Sequence, residues 1–492
     1  MEYGKLSRAL RLSIGEGALA CAMGTLTGGV FLTGFALALG ATRFQIGLLA
    51  AMPALANFAQ LLGACAIERT GRQKAVCLGA LSLSRVVWMT VLLTPLFAFA
   101  GAGSWLVWAL IAVQAASSAL NAIGGVGWLC WIRDLVPETV RIGFLSRRNQ
   151  IDTVLALTLS IAGGAFVDWW GAGHPGSQGG FVLVFAAAMA CGWTSLAMMS
   201  RIPEVAKEEP ADESRPPLGR LFLAPLRETN FRRVLGFYAF WNLAVNLSAP
   251  FFAVYMLEKM GLPFWYVTVL CTLSSVCGLA ANRFWTRLSE KFGHRPVIFL
   301  ATLGDALYPL WWLFASPPWS WLLIPIHCSG VFSAPLAVGP NNLVLKLSPA
   351  RNASPYMAVF NAVVGPATAL ATILGGYLAG AFGGWERSVG PLSLGGLQLV
   401  FLVSAVGRLS SLVLLWRISE PRAASIGRLL RVLQRLAVSR PSSWLPTLNW
   451  NWSVARSRKR LASAAPIAGR AALGANSDAE PADAAVPTLS AA

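Results

Sequence analysis

The chain has 492 residues, of which 56% are hydrophobic and only 12% charged, and its mean hydropathy is +0.60. A soluble domain carries roughly a quarter charged residues, so a water-facing surface cannot be built from this composition and lipid must cover much of the molecule. The formal charge of +18 does not point to nucleic acid, because the basic residues sit in short clusters between long apolar runs and in the C-terminal tail.

A helix that crosses a bilayer needs about 20 mostly apolar residues. Such runs occur in chain order at 17–39, 45–67, 75–98, 105–130, 150–169 and 181–200. After a segment at 201–232, where Pro203, Pro210, Pro216, Pro217 and Pro225 mix with charges, they resume at 233–257, 265–286, 296–315, 320–345, 355–381 and 396–416. The reading is an all-α integral membrane protein of twelve transmembrane helices. Its expected divisions are a six-helix bundle at 1–200, a cytoplasmic linker at 201–232, a second six-helix bundle at 233–418 and a cytoplasmic tail at 419–492.

Alternate loops hold few basic residues (Arg43, Lys259 and Arg387), whereas the N-terminus, the linker, the remaining loops and the tail are rich in them. The positive-inside rule then puts both termini in the cytoplasm and the protein in the cytoplasmic (inner) membrane. The first run follows Lys5, Arg8 and Arg11 and is expected to be an uncleaved helix, not a signal peptide.

The two sets of spans repeat each other. Gly127, Leu135, Pro137, Phe144, Asn149, Gly163, Gly164 and Gly171 recur as Gly339, Leu347, Pro349, Tyr356, Asn361, Gly375, Gly376 and Gly383. Upstream, Glu68-Arg69-Thr70-Gly71-Arg72 recurs as Glu290-Lys291-Phe292-Gly293-His294. The plan is two pseudo-symmetric halves. Proline can end a helix because it lacks an N–H, and a Gly-Gly pair inside a span lets neighbouring backbones approach.

The stretch Ala64-Cys65-Ala66-Ile67-Glu68-Arg69-Thr70-Gly71-Arg72-Gln73-Lys74 joins spans two and three. It resembles the signature loop of the major facilitator superfamily, Gly-x-x-x-Asp-Arg-x-Gly-Arg-Arg/Lys, with Ala64, Glu68 and Gln73 as departures. The loop from Arg287 to Pro296 looks like its degenerate second copy. The resemblance implies a fold of two parallel six-helix bundles and a permease that alternates access. It also implies that Glu68, Arg69, Gly71, Arg72, Glu290 and Gly293 help gate the cytoplasmic side. Drug–proton antiporters of this family carry an Arg in span four and a Gly-Pro in span five. Span four here has none before Arg133, and Gly365-Pro366 lies in span eleven instead, so the substrate stays unassigned.

In that family the first, fourth, seventh and tenth helices line the central cavity. The resemblance therefore implies substrate contacts at Gln114, Asn121, Tyr238, Trp241, Asn242, Asn246, His327 and Asn341, with Asn342 beside the last. The alternative for each is a hydrogen bond between helices. No Arg or Lys lies mid-depth in these four spans, which argues against a strongly anionic substrate. Deep charges are costly in a bilayer, about 2.5–3.5 kcal/mol on insertion scales, and three are expected here: Arg85, Asp305 and Arg408. Asp305 and Arg408 lie at similar depth in spans nine and twelve. They are expected either to pair or, for Arg408, to reach the interface. Glu16 and Asp168 are expected to reach water near span ends, and Asp152 to pair with a neighbouring Arg.

Eight cysteines lie inside apolar runs without a Cys-x-x-Cys pair, and His174, His294 and His327 are scattered, so neither metal nor cofactor is expected. No nucleophile elbow, P-loop or paired-carboxylate motif appears, and an enzyme is not expected. Partners should be a small-molecule substrate and membrane lipid, with no nucleic acid, on a monomeric protein. The tail segment 422–440 places Ile426, Leu429, Leu430, Leu433 and Leu436 at helical spacing with arginines between them. It reads as a basic amphipathic helix for the anionic inner leaflet or for a partner. The alternative to a transporter is a non-transporting protein on the same fold: a sensor, a lipid-handling protein or an assembly factor.

Overall fold

The computed structural model describes residues 3–94, 103–204, 225–347, 353–389, 392–420 and 423–438. It divides into two compact units, Met1–Ile426 and Gly427–Ala492. The second is described only through Val438, as part of a helix at Ile426–Val438; the rest of the tail and most of the linker, 205–224, lie outside the described residues.

Among the described residues the first unit holds twelve helical spans. They are α1 (Tyr3–Thr27 and Gly29–Ala38), α2 (Arg43–Ala56 and Ala59–Thr70), α3 (Gln73–Met89, then Thr90–Leu93), α4 (Gly103–Leu135), α5 (Glu138–Gly173) and α6 (Gly179–Ser200). The second set is α7 (Thr229–Asn246, Ala249–Val254 and the π turn Tyr255–Lys259), α8 (Phe264–Phe292), α9 (His294–Trp311), α10 (Pro317 to Leu347 in four segments), α11 (Ala353–Ala381) and α12 (Gly396–Trp416). Eleven of these are long and apolar enough to cross a membrane by composition. The remaining one, α9, opens on His294-Arg295 and carries Asp305 in its interior. A short antiparallel hairpin, β1 (Glu386–Val389) with β2 (Leu392–Gly395), sits between α11 and α12.

Helix contacts obey the repeat. Within the first bundle α1 packs on α5 and α6, α4 on α2 and α3, and α3 on α6; the second bundle pairs α7 with α11 and α12, α10 with α8 and α9, and α9 with α12. Each pairing becomes its counterpart when six is added to both helix numbers. The two main contacts between bundles, α2 with α11 and α5 with α8, exchange under the same operation. Large apolar side chains such as Leu62, Trp169, Leu370 and Val413 are more than half exposed, as expected where acyl chains replace water.

Each bundle is closed at the face where α1 begins and α12 ends (the termini face) by a reciprocal clasp of helix ends. Lys74, at the start of α3, donates to the carbonyls of Ser200 and Ile202 at the end of α6 (2.7 Å each), and Glu204 just beyond α6 accepts from the backbone N–H of Lys74 (3.0 Å). In the second bundle Arg295 donates to Trp416 O (2.9 Å), and Glu420 accepts from the N–H groups of His294 and Arg295 (3.1 and 2.7 Å). An anion at a helix N-terminus and a cation at a C-terminus each contribute about 0.3–1 kcal/mol.

Candidate functional site

Two cavities adjoin, the first walled by helices of the first bundle alone and the second by both bundles. One of about 530 Å³ is lined by Glu16, Arg85, Gln114, Asn121, Trp128 and Arg148, among others. The other, about 490 Å³, is lined by Gln114, Phe252, Cys271, Ser274, Tyr308 and His327, among others. They share Gly28, Pro53 and Gln114. Toward the termini face the wall residues Asn57, Asn121 and Gly125 are exposed, so the cavity reaches solvent on that side.

Both cavities meet helices broken in mid-membrane. α1 is interrupted at Gly28, whose extended backbone (φ −121°, ψ −171°) separates two helical segments. α7 is interrupted at Leu247-Ser248, the corresponding place in the second bundle. Gly29 at the first break has φ +51°, a left-handed conformation that glycine adopts without the cost of a Cβ. Unwound backbone inside a membrane is tolerated where it lines a cavity, and paired breaks mark substrate sites in transporters built from repeats.

At the face opposite the termini the bundles are locked together. The Asp168 carboxylate of α5 accepts from the N–H groups of Phe264 and Trp265, at the start of α8 (3.0 and 2.6 Å). Arg43 of α2 donates to Ala379 O, near the C-terminal end of α11 (3.1 Å), and approaches Glu258 at 3.9 Å. One lock is thus an anion on a helix N-terminus and the other a cation on a C-terminus. Beneath them the Phe264 ring sits 5.3 Å from Phe31 and 5.3 Å from Phe181, an aromatic plug joining α8 to α1 and α6. The expectation that Asp168 simply reaches water is corrected: its two oxygens are taken up across the bundle interface.

The repeated glycine pairs divide the work. A Cβ on Gly163 would strike Phe31 of α1, and one on Gly375 would strike Leu247 O of α7, each in its own bundle. A Cβ on Gly164 would strike Thr268 of α8, and one on Gly376 would strike Arg43 O and Gly47 of α2, each in the opposite bundle. One glycine of each pair therefore packs its helix at home while the other admits the facing bundle.

Among the deep charges, Arg408 pairs with Asp305 at 2.7 Å and also bonds Asp305 O, Ser404 Oγ and Ser248 Oγ. Arg408 is 2% exposed, so it does not reach the interface. The pair joins α9 to α12 and, through Ser248, braces the break in α7. Glu16 is likewise 2% exposed, not in water: α1 is helical from Tyr3, which draws the carboxylate into the bundle. It pairs with Arg148 at 3.3 Å, and Arg148 reaches Asp152 at 3.7 Å. Asp305 is thus not the only deep carboxylate. The view that the cavity has no mid-depth base also changes, because Arg85 reaches it from α3.

The polar residues expected to meet substrate separate into groups. Gln114, Asn121 and His327 line the cavities. Asn121 contacts Arg85 (3.4 Å) and donates to Ser84 (3.0 Å). His327 has Nδ1 2.8 Å from Leu323 O; that carbonyl can only accept, so Nδ1 carries the proton and Nε2 is left as an acceptor. Tyr238 (0% exposed) and Trp241 (5%) are enclosed in the core of the second bundle, and Asn242 and Asn246 donate back to Tyr238 O and Asn242 O of their own helix. The side chains of Asn341 and Asn342 lie outside the described ones.

In the signature loop, Gly71 ends α2 at φ +65° and Gly293 ends α8 at φ +91°, the turns for which glycine is suited. Glu68, Arg69, Arg72 and Glu290 are exposed at the termini face. The clasp carboxylates Glu204 and Glu420 were missed by the sequence reading, although a signal exists: Arg201-Ile202-Pro203-Glu204 recurs as Arg417-Ile418-Ser419-Glu420. Asp168 and Arg43 carry no such repeat.

The family model of the Major Facilitator Superfamily matches residues 234–477, which takes in the second bundle. The chain belongs to the major facilitator superfamily. Solved structures agree on the fold across both bundles. A nucleoside transporter, NupG, superposes with a TM-score of 0.63 at 12% identity, covering 85% of this chain and 99% of that one. A bacterial homologue of the iron transporter ferroportin, in an inward-facing state, gives 0.62 at 17% identity over 85% and 99%. A bacterial homologue of the human lysosomal transporter Spinster, inward-facing and unoccupied, gives 0.57 at 15% identity over 85% and 95%. No curated protein matches the sequence. At these identities the likeness concerns the fold, and family membership makes the chain a multi-pass membrane transporter.

Proposed function

We propose that the protein is a permease that moves a small solute across the cytoplasmic membrane by alternating access, with both termini in the cytoplasm. The observation that supports this most is the asymmetry of the bundle interface: helix-end locks and glycine contacts close one face, while the polar cavity opens at the other. In that orientation the structure is an inward-facing state. The six residues of the signature loop and its copy, Glu68, Arg69, Gly71, Arg72, Glu290 and Gly293, then latch the inner side when the outer side opens.

The test couples ligand screening to distance measurement. A ligand present at 100 times its dissociation constant adds about 2.7 kcal/mol of stability, so substrates can be found by thermal shift in detergent and followed by counterflow in liposomes. Spin labels placed across each face should report two populations that change in opposite directions when such a ligand is added. A single distance at both faces under all conditions would sink alternating access.

A further inference from the structure

We infer that the cavity binds an organic monoanion, a carboxylate-bearing small molecule whose charged group sits between Arg85 and the broken end of α1. This rests on the permease reading for how the molecule arrives and leaves. Two independent features of the cavity call for negative charge. Arg85 is 3% exposed and lines it; one guanidinium nitrogen contacts Leu81 O (3.1 Å) and Asn121 (3.4 Å), and Nε has no partner. Among the described residues no carboxylate forms an ion pair with Arg85. Glu16 and Asp152 converge on Arg148; Glu16 lies near enough to act on the charge of Arg85 but makes no direct contact with it, leaving its Nε without a partner. A buried guanidinium left in this way is costly, and an incoming carboxylate relieves the cost with charge-assisted hydrogen bonds.

The second feature is the half-helix Gly29–Ala38, whose N-cap is Gly28, with no side-chain cap. Its first N–H groups have no partner within the helix and form the positive end of its dipole. Gly28 and Arg85 line the same cavity. At 1.5 Å per residue, Gly29 lies about 14 Å and Arg85 about 12 Å from the ends of their helices at the closed face. Their backbones therefore stand at one level, and the Arg85 guanidinium turns back toward Leu81, to the open side of Gly29 that the first N–H groups of the half-helix face. Beyond them the adjoining cavity presents Ala249, Pro250, Phe252 and Met256, an apolar wall for the body of the molecule. Glu16 on the same cavity would repel a second negative charge, which favours a monocarboxylate over a phosphate dianion.

The experiment measures thermal stability of the purified full-length protein with matched pairs of a monocarboxylate and its neutral amide (benzoate and benzamide, phenylacetate and phenylacetamide, hexanoate and hexanamide), with phenyl phosphate as the dianion. At least one acid should stabilise the wild type while its amide does not, and Arg85→Gln should lower its apparent affinity at least tenfold. Because Arg85→Gln can also affect folding, a second variant supplies the missing acid. Asn121→Asp should pair with Arg85, raise the stability of the protein without ligand and abolish the response to acids. Amides acting as well as acids, acids acting equally on both variants, no carboxylate response in the wild type, or preference for phenyl phosphate would each overturn the inference. Counterflow of the responding acid separates the two readings. Binding without counterflow removes the permease but leaves the anion site. Counterflow of neutral solutes unaffected by Arg85→Gln removes the anion site but leaves the permease.

Discussion

At the residue scale, the two most telling side chains are carboxylates whose roles depend on what lies across from them. Asp168 holds two N–H groups of α8 from the other bundle. Asp168→Asn keeps the shape but removes the charge that favours a helix N-terminus, a loss of about 1–2 kcal/mol in a partly buried setting. The closed face should then open about five- to thirty-fold more often, seen as greater labelling from that face of a cysteine placed at Thr33, which lines the cavity outside the aromatic plug. Unchanged labelling would show that the aromatic plug alone holds that face. Asp305 behaves differently, since its partner Arg408 belongs to the same bundle and the effect should be on folding. Asp305→Arg and Arg408→Asp should each cost about 3–5 kcal/mol by leaving a buried charge unpaired. The double swap should recover much of that, because the hydroxyls of Ser248 and Ser404 can donate to a carboxylate as readily as they accept from Arg408. Folded yield and melting temperature in detergent decide it, and no recovery in the double swap would refute the pair as the reason both charges are tolerated.

At the element scale, the glycine pair of α11 separates stability from conformation. Gly375→Ala would press on Leu247 O at the break of α7, inside its own bundle, and should lower the melting temperature in every state. Gly376→Ala would press on α2 of the other bundle and should leave the fold intact while favouring the state in which α2 and α11 part. Overpacking of this kind typically costs about 1–3 kcal/mol. A pair of spin labels across the closed face, read beside melting curves, distinguishes the two variants. If both merely destabilise, or both merely shift distances, the division of labour is wrong. The clasps of Lys74 with Glu204 and Arg295 with Glu420 work at this scale too. They tie α3 to α6 and α9 to α12, so each bundle can move as a body while its neighbour moves against it.

At the scale of the whole molecule, the charge bias and the parallel repeat lead to a topology that labelling can check. Single cysteines at Lys74 and Lys291, in a background without native cysteines, should resist an impermeant maleimide in intact cells and react after permeabilisation. One at Glu386, on the hairpin between α11 and α12, should react at once. The opposite pattern would invert the protein in the membrane.

Twelve spans, two related halves and the glycine turns at Gly71 and Gly293 were legible from the order of residues, whereas the places of Gln114, Asn121 and His327 on a cavity were implied only by the family resemblance. The reason is that hydropathy and chain reversal are local properties. A span can be recognised from about 20 neighbours in sequence, and a repeat from spacing alone. What only the tertiary structure decided are properties of facing surfaces. Tyr238 and Trp241 sit on a helix that does border a cavity, yet their side of it turns inward to the core of the second bundle. Arg85 enters the cavity from α3, a helix not expected to line it. Asp168 finds two N–H groups 96 and 97 residues away. The charge of Glu16 weakens hydropathy and so marks a span end in sequence, but helix packing carries the side chain into the bundle. Such pairings depend on how helices rotate about their axes when they pack, and on which face of the interface closes; neither is encoded within a single span.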